Sequence, residues 1–479
     1  MRLVMKFGGT AVNSASRLTE VANIVRSNKR GASNDIVVVA SAVRGMTDDI
    51  IAVIENIKNG QKFSIEEFMK KTRAFHLDLL PKTIRDKKMR VQAGSEVSRL
   101  LDELEEVLGG IVLLGEVTPK SSDYLLSFGE RLSIPILSFT LKDKGIKSEH
   151  LTGKEAGILT DSRFGEARPL MDTTKLRVAH KIIPLLEAGM VPVIAGFIGA
   201  DQYGNTTTIG RGGSDYTATI VASSIKADEV WLWTDVDGLM TADPKIVKDA
   251  QVLDEVSFAE AMEMALFGAK YIHPRAFYPV IESNIPIRVR NVFNADHQGT
   301  LITQSPNKAS QKIVRSINAI RHTALIDVSG GDMAGSPGTA ARIFDILANS
   351  RINIMMISQS PSESSISMVL RKGDLDKATT ALELNLLGQM IKRVNVNSDV
   401  AVIAVVGSGM RGIKGVAAKI FGSVSDRNVN VIMIAQGSSE LNLAFVVKDD
   451  DCEEAVRALH AEFNLAGARA RKVTVPGKG

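Results

Sequence analysis

Six consecutive residues, Gly210-Arg211-Gly212-Gly213-Ser214-Asp215, bring a guanidinium, a hydroxyl, a carboxylate and three glycines together. Glycine lets the backbone approach a ligand closely and adopt positive φ, and arginine grips a carboxylate or phosphate through paired hydrogen bonds. The chemistry on offer is the capture of a small anion. For a glycine-rich hexapeptide taken alone, a surface turn with a solvated arginine explains the pattern equally well. Lys6-Phe7-Gly8-Gly9-Thr10 sets a lysine at the end of an apolar segment beside a Gly-Gly turn, where a helix start favours phosphate. This segment fits neither G-x-x-x-x-G-K-[ST] nor G-x-G-x-x-G, and a lone strand-end lysine is more often a solvated rim charge.

Three more clusters carry polar groups. Ala40-Ser41-Ala42-Val43-Arg44-Gly45-Met46-Thr47 follows an apolar run, at the place where open α/β sheets keep ligands, although Thr47 also reads as a helix cap. Ser127-Phe128-Gly129-Glu130-Arg131-Leu132-Ser133 puts Glu130 at an otherwise apolar helix start, where alone it reads as a first-turn partner of the helix dipole. Trp233-Thr234-Asp235-Val236-Asp237-Gly238 leads to Asp243-Pro244-Lys245, with Phe267-Gly268-Ala269-Lys270 and His273-Pro274 downstream. Turn chemistry accounts for Asp237-Gly238 and Asp243-Pro244 without any ligand.

These clusters sit between elements that would position them. Leu3 to Phe7 reads as a strand, Ser16 to Arg26 as a helix and Asp35 to Ala42 as a strand buried on both faces, a βαβ start. A helical insertion spans Thr47 to Leu108. Strands return at Val191 to Phe197, Glu229 to Thr234 and Pro286 to Val289, so an α/β sheet domain is expected over 1–305, with Ser305-Pro306-Asn307-Lys308 as a linker. Past residue 320 the grammar changes to an internal repeat. Met333, Gly338, Asn353 and Gln359 recur as Met410, Gly415, Asn430 and Gln436, an offset of 77 residues. Each copy reads as strand, glycine-rich loop, helix, two strands, helix and a last strand, giving small α+β modules at 321–395 and 396–475.

At 479 residues the chain has room for about three cores. A net charge of +4 from 58 basic and 54 acidic residues, without a clustered basic stripe, argues against nucleic acid as a partner. The single cysteine, Cys452, rules out an intrachain disulfide and any multi-cysteine metal site, which fits a reducing compartment. The acidic run Asp449 to Glu454 around it is expected to open a helix. Charge and glycine follow Met1 too soon for a signal-peptide core, and the most apolar stretch, Ile183 to Ala200, is broken by Glu187, Pro192 and glycines. A cytoplasmic protein with no membrane partner is expected.

Taken together, the ordered clusters resemble the aspartate kinases of the amino-acid kinase superfamily. The likeness rests on Lys-Phe-Gly-Gly-Thr at Lys6, Ser-Phe-Gly-Glu at Ser127, Gly-Phe-Ile-Gly at Gly196, Gly-Arg-Gly-Gly-Ser-Asp-Tyr at Gly210, Trp-Thr-Asp-Val at Trp233 and Phe-Gly-Ala-Lys at Phe267, followed by two ACT-like modules. The resemblance implies a three-layer, carbamate kinase-like α/β domain followed by two ferredoxin-like ACT domains. It implies ATP- and Mg²⁺-dependent phosphorylation of L-aspartate to 4-phospho-L-aspartate, the first step toward lysine, threonine and methionine. By the same resemblance Lys6 and Lys270 lie along the phosphates, Gly8 and Gly9 give backbone donors, and Arg211 holds the aspartate α-carboxylate with Glu130 at its ammonium. Ser41, Thr47, Ser214 and Asp215 complete the substrate and transfer site, Thr234, Asp235 and Lys245 border the nucleotide, and phosphates and water rather than protein ligands hold the metal. Ala11, Met240 and Lys245 depart from residues common in that family at the nucleotide side.

ACT pairs resemble amino-acid sensors. Here Met333, Gly338, Thr339, Asn353 and Gln359 would form an effector wall, echoed by Asn430 and Gln436. Lysine-sensing relatives of one type carry an aspartate at the position of Met355, and the glutamines suit a neutral hydroxyl side chain, so threonine is the expected effector, with polar strand ends facing solvent as the simpler explanation. A homo-oligomer through the ACT modules is expected. A fused homoserine dehydrogenase is not, for few residues follow the second repeat and no dinucleotide fingerprint is read. A catalytically silent amino-acid sensor and a kinase for another acidic amino acid are the alternatives.

Overall fold

The computed structural model describes residues 1–466 apart from 33, 44, 62, 269–271, 308–311, 331–332 and 389. It forms two compact units, the first comprising Met1–Leu239, Asp254–Phe258 and Lys270–Pro306. In chain order this unit runs β1 (Arg2–Phe7), α1 (Ala15–Ala32), β2 (Asp35–Ala40), then four helices, α2 (Met46–Lys58), α3 (Ile65–Thr83), α4 (Lys87–Leu114) and α5 (Pro119–Asp143). It continues with β3 (Ser148–Leu151), α6 (Gly153–Ala156), α7 (Met171–Glu187), β4 (Val191–Ala195), the hairpin β5 (Ile198–Ala200) and β6 (Thr206–Thr208), α8 (Gly213–Ile225) and β7 (Glu229–Thr234). Short β8 (Glu255–Ser257) precedes α10 (Tyr278–Ile281), β9 (Ile287–Asn291) and β10 (Thr300–Thr303); α9 (Phe258–Leu266), which intervenes in the chain, belongs beyond Phe258 to the second unit.

The main sheet has the order β3-β4-β2-β1-β7-β9-β10-β8, parallel from β3 to β9. Leu3, Met5, Phe7, Ile36, Val38 and Ala40 bury one face against the core that α1 to α5 complete. Val4, Val37 and Val39 are equally buried on the other face, where α8 packs on β1. Burial on both faces is why β2 reads Ile-Val-Val-Val without alternation. The chain moves to one side of β1 for β2, β3 and β4 and returns to the other side for β7 and β9. Strand order therefore reverses at β1, and the crevice beyond its carboxyl end is the natural ligand position.

The sequence placed Glu130 at a helix start, but α5 begins at Pro119, capped by Thr118, whose side chain accepts from the Ser121 amide. Glu130 is therefore buried in mid-helix, beyond the reach of the helix dipole's positive end. Thr47 is no cap either: the N-cap of α2 is Gly45, in the left-handed conformation.

The second unit comprises Met240–Leu253, Ala259–Ala269 and Asn307–Gly479. Its sheet is built from β11 (Ser316–Ser329), β12 (Met356–Gln359), β13 (Ser365–Arg371), β14 (Arg393–Val406), β15 (Met433–Ala435) and β16 (Asn442–Lys448), in the order β12-β13-β11-β14-β16-β15. Four helices accompany it: α11 (Thr339–Asn349), α12 (Leu375–Leu386), α13 (Val416–Ser425) and α14 (Cys452–Glu462). The acidic run ahead of α14 forms a single 3-10 turn, Asp449–Asp451, leading into that helix.

Both long strands serve two modules. Thr323–Ser329 of β11 lies between β13 and the 393–397 part of β14, closing the first module. Ser316–Ile320 of the same strand pairs with Val402–Val406 of β14, whose other side carries β16. The last strand of the second module thus comes from 316–320, ahead of the first module and of residue 321. The first module is inserted into the second, with the register break between Ile320 and Thr323 as the joint. Two segments from within 1–305 also belong here. Ala242 and Val247 join the second module's core, Ser316 Oγ donates to Met240 O at 3.0 Å, and Thr241 Oγ1 lies 2.9 Å from His460 Nε2. Glu260 Oε1 accepts from Ser408 N at 2.9 Å and from its Oγ at 2.7 Å.

One expectation needs correcting. Gly407-Ser408-Gly409-Met410-Arg411-Gly412 does fit G-x-G-x-x-G after a strand. The strand belongs to an antiparallel sheet, and its first two glycines face backbone: a Cβ on Gly407 would stand 2.4 Å from Ile313 O, and one on Gly409 2.6 Å from Lys312 O. Chain packing, not a pyrophosphate, requires these glycines.

Candidate active site

A cavity of about 350 Å³ opens beyond the carboxyl ends of β1, β2 and β4. Lys6, Ser41, Thr47, Glu130, Arg211, Ser214 and Asp215 all line it, together with Gly9, Gly45 and Phe197. β1 delivers Lys6, the loop after β2 delivers Ser41, the first turn of α2 delivers Thr47, α5 delivers Glu130, the loop before α8 delivers Arg211, and the first turn of α8 delivers Ser214 and Asp215. Both α2 and α8 start at this cavity from a left-handed glycine, Gly45 and Gly212, so free backbone N–H groups are directed at the space between them.

Close approaches explain several glycines. A Cβ on Gly129 would stand 2.7 Å from Ala42 Cβ, and one on Gly196 would stand 2.7 Å from Ser214 Oγ, so α5 and β4 can approach these loops only without side chains there. Gly212 has φ +72, and a Cβ would meet His273 Cβ at 2.1 Å. His273 is half-buried, its imidazole pushed below its ordinary pKa first by burial and then by Arg275. Phe197 takes φ 69, which costs an aromatic residue about 1–2 kcal/mol. Phe197 N donating to Thr217 Oγ1 at 3.1 Å and Ile209 N donating to Phe197 O at 2.9 Å fix that bend.

The charges are arranged unequally. Lys6 Nζ stands 2.6 Å from Asp215 Oδ1, with both side chains mostly shielded. Arg211 is exposed and has no ion-pair partner within 4.0 Å among the described residues. Glu130 is only 4% exposed. Burial pushes its carboxyl up to about 8, while amide hydrogen bonds from Ala42 and Glu130 itself and the nearby Lys6 charge pull the other way. Its Oε2 is buried without a hydrogen-bond partner, an acceptor aimed at nothing the protein supplies. The cavity therefore offers a free cation, a carboxyl that a ligand's ammonium would ionise, and a paired lysine and aspartate between two helix starts.

Other expected residues stand elsewhere. Gly8 lies beside the cavity, its amide 3.4 Å from Trp233 O and its position 3.6 Å from Lys6 Nζ for a built Cβ. Thr234 ends β7 and its hydroxyl donates to Asp235 Oδ1 at 3.2 Å; neither lines the cavity. Lys245 is exposed in the 240–253 segment of the second unit, its amide bonded to Asp243 Oδ1. Lys270 lies outside the described residues. Met333 and Thr339 are buried around Gly338, which caps α11 with φ +94, whereas Asn353, Gln359, Asn430 and Gln436 are exposed at or beside β12 and β15. Sequence reading missed Asp123, fully buried in α5, whose carboxylate accepts from Gly165 N, Thr208 N and Thr208 Oγ1 and ties β6 to α5. An acid in a helix gives no sequence signal of its own for such a brace. Among the described residues no group of three or more His, Cys, Asp or Glu side chains could hold a metal, and no helix is long and apolar enough to cross a membrane.

Comparison with known proteins gives consistent matches. The amino acid kinase family model matches residues 1–291, and the ACT domain model matches 326–386 and 403–463. A bifunctional aspartokinase/homoserine dehydrogenase of Zea mays is 33% identical over 97% of the chain, which spans about half of that relative's length. The lysine-sensitive aspartokinase 3 of Escherichia coli is 32% identical, with 96% of this chain and 99% of that one covered. The crystal structure of E. coli aspartokinase III in complex with aspartate and ADP superposes with a TM-score of 0.81 at 31% identity, covering 96% of this chain and 99% of the other.

Proposed function

Because the chain belongs to the amino acid kinase family, among its aspartokinases with ACT domains, we propose that it transfers the γ-phosphoryl group of ATP to the side-chain carboxylate of L-aspartate. The products are ADP and 4-phospho-L-aspartate. One observation carries this reading: Glu130, Arg211 and the Lys6–Asp215 pair line a single cavity. An α-amino acid brings an ammonium and a carboxylate, and Glu130 suits the first as Arg211 suits the second. Ser41, Thr47 and Ser214 add hydroxyl contacts that orient the side chain.

The acceptor carboxylate is ionised at neutral pH, so no general base is required. Its oxygen attacks the γ-phosphorus, the bond from phosphorus to the β,γ-bridging oxygen breaks, and ADP leaves with that electron pair. Lys6 opposes the charge spreading over the transferred group, helped by the Gly9 amide, the Gly8 amide being turned to Trp233 O, while Asp215 fixes the position of the ammonium. Bound Mg²⁺ would supply further neutralisation of the phosphate charge. The donor set fits that ion only through phosphate oxygens and water, since the described residues offer no carboxylate cluster. Thr234, Asp235, Lys245 and Lys270 are all assigned to the nucleotide by resemblance alone.

The repeated glutamines and the non-acidic Met355 support threonine as the amino-acid effector, although the E. coli relative is named lysine-sensitive. A homo-oligomer through the ACT modules, in the cytoplasm, completes the reading. Trapping the acyl phosphate with hydroxylamine, with L-aspartate, L-glutamate and N-acetylglutamate offered in parallel, tests the activity. Hydroxamate from aspartate alone is expected; a preference for either other acid would reassign the substrate, and no product at all would leave only a sensor. Equilibrium dialysis against threonine and lysine tests the effector, and tight lysine binding without threonine binding would remove the threonine assignment.

A further inference from the structure

The first unit holds a second and larger cavity, about 600 Å³, which none of the catalytic assignments uses. Its floor is the face of α5 that carries Ser121, Tyr124 and Arg131, one wall is α4 at Val107 and Ile111, and the other is β5 and β6 at Ile198 and Thr206. That volume falls within the range of small-molecule sites, and the lining mixes apolar side chains with a few polar groups.

Its charge is one-sided. Lys120, Arg131 and Lys154 line it, and no aspartate or glutamate does. Arg131 is the most constrained of the three. Its Nη2 donates to Glu103 Oε1 at 2.7 Å and its guanidinium lies 4.4 Å over the Phe128 ring, yet Nη1 is buried without a hydrogen-bond partner. Tyr124 OH donates to the same Glu103 oxygen at 2.5 Å, so that carboxylate is already shared. A buried guanidinium nitrogen left unpartnered beside Lys120 and Lys154, neither of them in an ion pair among the described residues and Lys154 donating to Gly204 O at 3.1 Å, calls for an anion.

The two cavities share walls. Glu130 lines the first and Arg131 the second, and Phe197 lines the first and Ile198 the second. A rotation of α5 or a shift at the strained Phe197 bend would be felt on both sides. We infer that this cavity binds a small organic anion with an apolar body, and that a ligand there and a ligand in the first cavity alter each other's affinity.

The full chain is titrated with naphthalene-1-sulfonate as probe, with 1-naphthylmethanol as its uncharged counterpart, each in the absence and presence of saturating L-aspartate. Saturable binding of the sulfonate, at least about tenfold tighter than the alcohol, is expected, and aspartate should change its Kd without abolishing binding. Lys120→Glu with Lys154→Glu should weaken the sulfonate about tenfold or more and leave the alcohol unchanged. Val107→Trp, which fills the cavity from α4, should abolish binding of both while the uninhibited turnover is kept. Equal affinity for charged and uncharged probes, indifference to the charge reversals, or one-for-one displacement by aspartate would each overturn the site. A Kd for the sulfonate that aspartate leaves unchanged would overturn the coupling. The titration without aspartate reads the second cavity whatever the first one binds, so failure of this proposal is distinguishable from failure of the kinase reading.

Discussion

In the first unit, the residues that meet at the candidate active-site cavity arrive on contiguous motifs, and all but the mid-helix Glu130 stand near the end of a strand or the start of a helix that a parallel sheet sets side by side. In the second unit, the elements that meet come from far apart: the strand at 316–320 completes a module whose other strands begin beyond residue 400, and the 240–253 segment joins the same core. A parallel sheet aligns strand ends whatever lies between them, so chemistry can be written in short words. An inserted module has no such local grammar, and its integrity depends on pairings about 80 residues apart.

The contrast predicts different responses to substitution. Lys6→Ala should lower kcat by about a thousandfold, because a cation opposing transition-state charge acts on the chemical step. Steady-state kinetics across aspartate concentrations read this directly, and an unchanged kcat would remove Lys6 from the reaction. Arg211→Ala should raise the aspartate KM by about a hundredfold and change kcat far less, since it grips a part of the substrate that does not react. A loss confined to kcat would move Arg211 to the transferred phosphate.

In the core of the second unit's sheet, substitution should alter stability and leave the chemistry intact. Ile317 is 1% exposed in the core of the second module, and Ile317→Ala should destabilise that module by about 2–4 kcal/mol. Hydrogen exchange should accelerate in 400–406 and 442–448 and much less in 323–329. Equal acceleration in both modules would mean that they unfold as one body and that the insertion has no energetic joint.

Glu130 gives a smaller, pH-dependent effect. Its folded pKa of about 8 lies above the ordinary carboxylate value of 4.5. The folded protein therefore holds a proton that the unfolded chain has lost, and this group's contribution to stability falls as pH rises between about 4.5 and about 8. Substrate affinity takes the opposite sign, because the ammonium needs the ionised form. Aspartate binding should tighten roughly tenfold from pH 6.5 to 8.5, with proton release on binding at the lower pH. Glu130→Gln should bind more weakly and lose most of that dependence; an identical pH profile in the variant would assign the titration to another group.

Much of the first unit was legible in the sequence because each motif carried its own evidence. Ile36-Val37-Val38-Val39 read as a strand covered on both faces, and the glycines at 210, 212 and 213 marked a loop suited to close approach. The setting of Glu130 was not legible. Ser-Phe-Gly-Glu gives no sign of the eleven residues of helix that precede it, and those determine that burial, not a helix dipole, sets its proton affinity. The repeat at 77 residues was plain, but repetition says which segments are alike and not which of them pair. Nothing in Ser316 to Ile320 distinguishes the last strand of a later module from the first strand of its own, and the G-x-G-x-x-G at Gly407 shows how a spacing can be met for packing alone.

The most direct test of aspartate phosphorylation is the position of the new acyl phosphate. The protein is incubated with ATP, Mg²⁺ and L-aspartate, the mixture is reduced with borohydride, and the amino alcohol is identified by mass and chromatography against standards. Transfer to the side-chain carboxylate predicts homoserine formed in step with ADP, and its loss in Lys6→Ala. Reduction product from the α-carboxylate, or ADP released with no reducible acyl phosphate, would contradict it.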